Sequence, residues 1–118
     1  VIADTPYTYD AASFQIEDKC DAGVLPVDGG SVPVCFTSFA LADNDYAWVF
    51  VGPGPFNSIT DATGVTAAQL ATHISATVGT LSSGVTAALL KGVRSEAVIA
   101  AGATGTFYAS NRLFAEDL

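Results

Sequence analysis

The run Tyr46–Val51 (YAWVFV) is unbroken in apolar, aromatic and β-branched residues, and it stops at Gly52-Pro53-Gly54-Pro55. A short apolar run closed by glycine and proline has the length and the boundary of a strand. Its continuity predicts a strand covered on both faces, with Trp48 as the central packing residue. The Gly-Pro repeat predicts a loop, because two prolines and two glycines exclude regular pairing. Phe56–Ile59 then resumes as a strand.

The same punctuation recurs along the chain. Val1–Lys19 alternates aromatic with polar residues around Pro6 and predicts an extended N-terminal arm leading into a first strand. Such an arm either closes the sheet of its own domain or lies across a neighbour. After Gly23-Val24-Leu25-Pro26-Val27, the turn Asp28-Gly29-Gly30 and the alternation of Val32, Val34 and Phe36 predict a hairpin. Pro26 and Pro33 cannot donate to a ladder, which places these strands at an edge or at bulges. Asp43-Asn44-Asp45 is a polar turn. Thr66–Gln69 has the S/T-x-x-E/Q form of a capping box and predicts one short helix near 66–74. Lys91–Ala100 reads as a strand, Gly102–Gly105 as a turn, Thr106–Phe114 as the closing strand, and the last residues as a frayed tail. Gly64–Leu70 is echoed by Gly84–Leu90, a chance match in an Ala-, Thr- and Val-rich chain.

These elements make one mostly β domain, a small β-sandwich or barrel with a β-clip as a variant: residues 1–19 as arm and first strand, and 20–118 as the domain body. At 118 residues there is room for one core. With half the residues hydrophobic and 14% charged, the chain has the apolar surface that folding requires. Much of that surface is small side chains, so contacts with copies of itself or with a larger assembly are expected to supply further stability.

The net charge is −8, and nine of the twelve acids lie before residue 62, whereas three of the four bases (Lys91, Arg94, Arg112) lie in the last third. This argues against direct nucleic-acid binding, which needs clustered Lys and Arg; the asymmetry either keeps acids on the surface for solubility or permits attraction between subunits. No apolar run reaches the length of a membrane-spanning helix, and the residues from Val1 onward do not have the basic-then-apolar form of a leader, which leaves the compartment open. Cys20 and Cys35 flank the predicted hairpin, where they are either paired as a disulfide or free and buried.

Reactive constellations are missing. His73 is the single histidine and reads as a half-buried structural residue. No serine sits in G-x-S-x-G. The carboxylate pairs Asp43/Asp45 and Glu17/Asp18 fall in turns or beside lysine. Ala47 breaks the calcium-loop pattern begun at Asp43, and the prolines of Gly52–Pro55 remove the amides that a phosphate loop would use. No catalytic residue, metal site or cofactor is therefore expected, and the chain reads as a structural protein and not an enzyme.

From Ala40 onward, about two-thirds of the chain, the succession ALADNDYAWVFVGPGPFNSIT, GVTAAQLATHISATVGTLSS and LLKGVRSEAVIAAGATGTFYASNRLF resembles small capsid-decoration, or head-associated, proteins of tailed bacteriophages. The resemblance lies in the order of a Tyr-x-Trp strand, an Ala-rich turn ending in Leu, a GvR strand and a last aromatic strand. The Gly52–Pro55 turn and the two cysteines depart from it. It implies a β module on the virion capsid surface, bound to the major capsid protein and to copies of itself, often as a trimer, with no catalytic residue. On this reading Tyr7, Tyr9 and Phe14 are the candidate subunit contacts, and removal of Val1–Phe14 would weaken attachment while leaving the remainder folded. The alternatives are the globular subunit of an extracellular filament of the type IV pilin kind, which a Cys20–Cys35 disulfide would favour, and a binding module that stacks a ligand on Trp48 with Tyr46 or Tyr108.

Overall fold

The computed structural model describes residues 1–22, 31–84 and 88–117. Among them nine strands form one curled antiparallel sheet, a half-barrel: β1 (Tyr7–Asp10), β2 (Gln15–Lys19), β3 (Ser31–Cys35), β4 (Gly54–Ile59), β5 (Ala71–Ile74), β6 (Leu81–Ser82), β7 (Ala88–Ser95), β8 (Thr104–Ala109) and β9 (Phe114–Asp117). The strands run β2-β1-β3-β9-β7-β5-β6, while β8 joins β7 and β4 joins β8.

The curl originates in β7. Its first half pairs with β9 (Ala88↔Asp117 to Leu90↔Ala115) and its second half with β8 (Val93↔Ala109 to Ser95↔Phe107). Gly92 stands at the changeover with φ +73°, and a Cβ there would lie 2.8 Å from Ser110 Oγ. Only glycine meets both the angle and the space at no steric cost. A β-bulge at this point bends the strand, and the two halves of the sheet wrap around one core.

Inward-facing residues from β3 to β9 fill that core. Phe36, Phe56 and Phe107 form a column with ring centroids 4.6 and 5.8 Å apart, and Phe50 stacks on Phe56 at 5.3 Å. Ile74, Leu81, Leu90, Val93 and Leu113 close around it with no exposed surface. A second, smaller cluster of Tyr7, Tyr9 and Cys35, joined by Val1, Ile16, Val49 and Val51, occupies the opposite face of the β1–β3 region. Alternation along β3 explains the division, since Val34 and Phe36 enter the large core and Cys35 the small one.

Asp61 ties the loops at one end of the molecule. Its carboxylate accepts from Ser75 Oγ (2.6 Å), Thr63 N (2.9 Å) and Gly64 N (3.2 Å), and its carbonyl accepts from Gly102 N (2.7 Å).

Several sequence expectations are corrected. No helix forms at 66–74. Thr66 N is taken by Ser83 Oγ, Gln69 has φ +65°, and Ala71–Ile74 is strand β5 between β6 and β7. Tertiary pairing has overridden a local cap signal. The echo between 64–70 and 84–90, read as a chance match, has no structural counterpart at its described last residues: Leu70 is exposed just before β5, and Leu90 is buried in β7. The Gly52–Pro55 segment is a loop only in its first half, since Gly54 and Pro55 already pair with Ala109 and Tyr108. Ala115–Asp117 of the tail are not frayed: Phe114–Asp117 is strand β9, between β3 and β7.

Pro33 lies in an internal strand rather than at an edge. Val34 N bonds Leu113 O on the β9 side, so alternation turns the missing Pro33 N–H toward β1, whose ladder ends at Thr8↔Val34. The predicted turn at Asp28–Gly30 lies outside the described residues. The N-terminal arm is a β1–β2 hairpin built into the sheet, with β1 hydrogen-bonded on both sides.

Two stability outcomes follow from this packing. Phe107→Ala is expected to cost about 3–5 kcal/mol in urea unfolding, the range for an aromatic removed from a core. Removal of Val1–Phe14 is expected to abolish the cooperative thermal transition, because it deletes β1 from between β2 and β3. A truncated chain that still melts cooperatively would contradict this placement.

Candidate docking loop

Between β3 and β4 the chain makes a long excursion whose base is fixed by backbone pairing. Phe36 N donates to Phe50 O (3.0 Å) and Phe50 N to Phe36 O (2.8 Å). A second clamp joins Val1 and Leu41, each N–H donating to the other's carbonyl at 2.9 and 3.0 Å. Asp4 N donates to Thr37 O, and the Thr37 hydroxyl donates to Phe39 O. At the tip Ala42 N donates to Asp45 Oδ2 (2.9 Å) and Asp45 N to Ala42 O (3.2 Å), with Asn44 at φ +67°, a left-handed conformation that asparagine tolerates. The turn expected at Asp43–Asp45 is thus present.

This scaffold divides the apolar run at Val49. Phe50 enters the aromatic column, while Val49 and Val51 cover the Tyr7/Tyr9 cluster. The preceding residues meet nothing: Tyr46 is 98% and Trp48 96% exposed, and Phe39 on the outgoing limb is 50% exposed. The expectation of a two-face-covered strand with Trp48 at its centre is therefore wrong. The run is strand-like only from the Phe36–Phe50 bridge onward, and its first half projects into solvent. The available signal was the adjacent Asp43-Asn44-Asp45 turn, which puts Tyr46 next to a solvent-facing tip.

Burial of a large apolar side chain is worth about 1.5–3 kcal/mol. Two such side chains held outside the fold therefore carry binding free energy that folding has not used. Aromatic residues dominate the energetic centres of protein interfaces. Asp43 and Asp45 precede them, so the loop presents rings beside negative charge.

The other candidate contacts separate. Tyr7 and Tyr9 are buried in the protomer, where their hydroxyls accept from Ile2 N and Arg112 Nη2, both at 3.0 Å. Phe14 is 76% exposed at the β1–β2 turn, with φ +58°, where Asp10 Oδ1 accepts from Ala12 N and Ser13 N. These two amides hold the Asp10 carboxyl below its usual range.

Cys20 and Cys35 are free thiols. Cys20 N bonds Pro6 O on one side of β1, and Cys35 pairs with Tyr7 on the other, so a strand lies between them. They also belong to different clusters, Cys20 to the large core and Cys35 to the small one. A disulfide needs Cα atoms within about 7 Å and converging Cβ vectors, and neither condition suits sulfurs two strands apart on opposite faces. Burial pushes the Cys20 thiol up to about 12, with the Cys35 sulfur adding to it, and the Cys35 thiol up to about 11.

Among the described residues no acid–base site is assembled. His73 lies across β5 from Leu89 and Ser82, and no side chain bonds its buried Nδ1. Burial lowers its pKa, the Ala71 backbone opposes this, and the Arg94 charge lowers it further. For Asp61 burial acts upward, but the Ser75 hydroxyl, the Thr63 and Gly64 amides and the Ser82 hydroxyl outweigh it and hold the carboxyl low. Among the described residues no group of three or more His, Cys, Asp or Glu is placed to hold a metal ion. Among the described residues no helix is long and apolar enough to cross a membrane.

These shifts set the pH dependence of folding. Below pH 9 both thiols are protonated in either state. As pH rises through 9 toward 11–12 the unfolded chain ionises first, so stability falls, by up to about 1.4 kcal/mol per pH unit for each thiol. The lowered Asp61 carboxyl acts at the acid end, stabilising above 3.8 and losing that contribution as pH falls further. Urea melts from neutral pH to pH 11 should show the alkaline loss in the native sequence and a flatter curve in Cys20→Ala/Cys35→Ala. Equal slopes would contradict the buried-thiol assignment.

Comparison of the chain with family models, with curated proteins and with solved structures found no match.

Proposed function

We propose that this chain is a structural assembly protein that attaches to a larger protein surface through the 38–48 loop, with Tyr46 and Trp48 as anchors. The observation that carries the reading is their near-complete exposure on a loop whose base is pinned by two pairs of reciprocal backbone hydrogen bonds. A mobile tail with the same residues would lose more conformational entropy on docking; a pinned loop has lost part of it on folding.

Within that class we favour a decoration protein on the outer face of an icosahedral phage head, bound to the major capsid protein and to its own copies. Support comes from the ordered resemblance over Ala40 to the C-terminus, from the all-strand fold, and from acidic charge that discourages nucleic-acid contact and indiscriminate self-pairing. The filament reading drew on a disulfide, and the free thiols withdraw that support. Phe14 at the β1–β2 turn is a second contact on the same reading. Tyr7 and Tyr9 serve by holding the hairpin in place.

Co-sedimentation of the purified protein with undecorated phage heads tests the proposal. Tyr46→Ser/Trp48→Ser is expected to weaken binding at least about 100-fold, since two interface anchors at more than about 1.4 kcal/mol each exceed that factor. Its melting temperature should stay within a few degrees of the native protein. Full binding by the double variant, or no binding by the native protein, would overturn the assignment.

A further inference from the structure

A second feature lies apart from the loop, on the outer face of the β7–β8–β4 layer. Arg94 and Tyr108 are directly opposed across β7 and β8. Phe107 and Ala109 are fully buried, so alternation turns Tyr108 outward, where it is 53% exposed. Around it Gln69, Gly92, Arg94, Glu96 and Ser110 line an open hollow of about 510 Å³.

Backbone bonds build the hollow. Gln69 N donates to Ser95 O, which brings the φ +65° turn against the end of β7. Ser110 N and Oγ both donate to Gly92 O. Gly92 forms the floor because it has no side chain. Arg94 Nη1 donates to Val93 O at 3.1 Å, which orients the guanidinium and leaves its other donors free to act outward.

We infer that this hollow is a saccharide subsite for a neutral pyranose whose hydroxyls are equatorial, as in β-1,4-linked glucans and their N-acetylglucosamine counterparts. The lining offers one guanidinium, one carboxylate, one primary amide and one hydroxyl around a single aromatic ring. A cationic ligand meets Arg94 and an anionic one meets Glu96, whereas a sugar hydroxyl both donates and accepts: it can pair with the guanidinium, the carboxylate and the amide, and donate to the Ser110 hydroxyl, whose own proton goes to Gly92 O. An apolar peptide would leave those groups desolvated and unpaired, a cost of about 1–3 kcal/mol each. The phenol ring supplies what the polar groups cannot, a flat π surface for the C–H face that an all-equatorial pyranose presents. The volume falls within the range of about 300–1,000 Å³ of small-molecule sites. The hollow shares no residue with the 38–48 loop.

The test is a titration of the ¹⁵N-labelled full chain with cellohexaose and, separately, chitohexaose, read by amide chemical shifts. Shifts confined to Gln69, Gly92, Arg94, Glu96, Tyr108 and Ser110 with either sugar are expected. Tyr108→Ala should weaken that binding about five- to tenfold, the worth of one aromatic stacking partner, while Tyr108→Phe should retain it. The Phe variant also separates loss of the ring from loss of the fold. No shift at millimolar concentrations of either sugar, shifts centred on Tyr46–Trp48, or binding unchanged in Tyr108→Ala would overturn the inference.

Discussion

The reciprocal backbone pair between Phe36 and Phe50 decides what this protein presents to its surroundings. Two hydrogen bonds of 3.0 and 2.8 Å close the base of the excursion between β3 and β4. The two rings then enter the column with Phe56 and Phe107, so the closure is anchored in the main core. Every residue C-terminal to that pair in the run is packed, and Tyr46 and Trp48 before it are left in solvent. One local pairing thus sets both the integrity of the half-barrel and the exposure of the aromatic loop.

The remaining architecture is consistent with a body that displays surface. Gly92 lets β7 change partners and curl the sheet, and Asp61 cross-links the loops at one end. The ionisable groups buried by this process, Cys20 and Cys35, are driven toward their neutral thiol forms. His73 is pushed the same way, toward a neutral imidazole with no side-chain partner. A catalytic centre brings such groups together with complementary shifts. Here strands separate them.

Much of the fold was legible in the residues. Alternation of Val32, Val34 and Phe36, the Asp43–Asp45 turn and the Phe56–Ile59 strand all follow from local periodicity and turn chemistry, and the structure reproduces them. What escaped depended on partners remote in sequence. The helix signal at Thr66–Gln69 yielded to pairing of Ala71–Ile74 with β7, and Phe114–Asp117 became a central strand through β3, more than eighty residues away (Ser31↔Glu116). The candidate site was misread for a related reason. A continuous apolar run reads as buried on average, and only the remote Phe36–Phe50 contact shows where along the run burial begins. Tyr7 and Tyr9, read as outward contacts, are inward because Val1, Val49 and Val51 cover the face of β1 that they share.

Trp48 is the only tryptophan in the chain, so its fluorescence reports the loop without a competing signal. Acrylamide quenching of the native protein, compared with the same protein unfolded in urea, is the most direct measurement. A Stern–Volmer constant in the folded state close to that of the unfolded chain, with red-shifted emission, is the predicted result. Strong protection with blue-shifted emission from the isolated folded protein would place the indole inside the fold and remove the basis for docking through this loop.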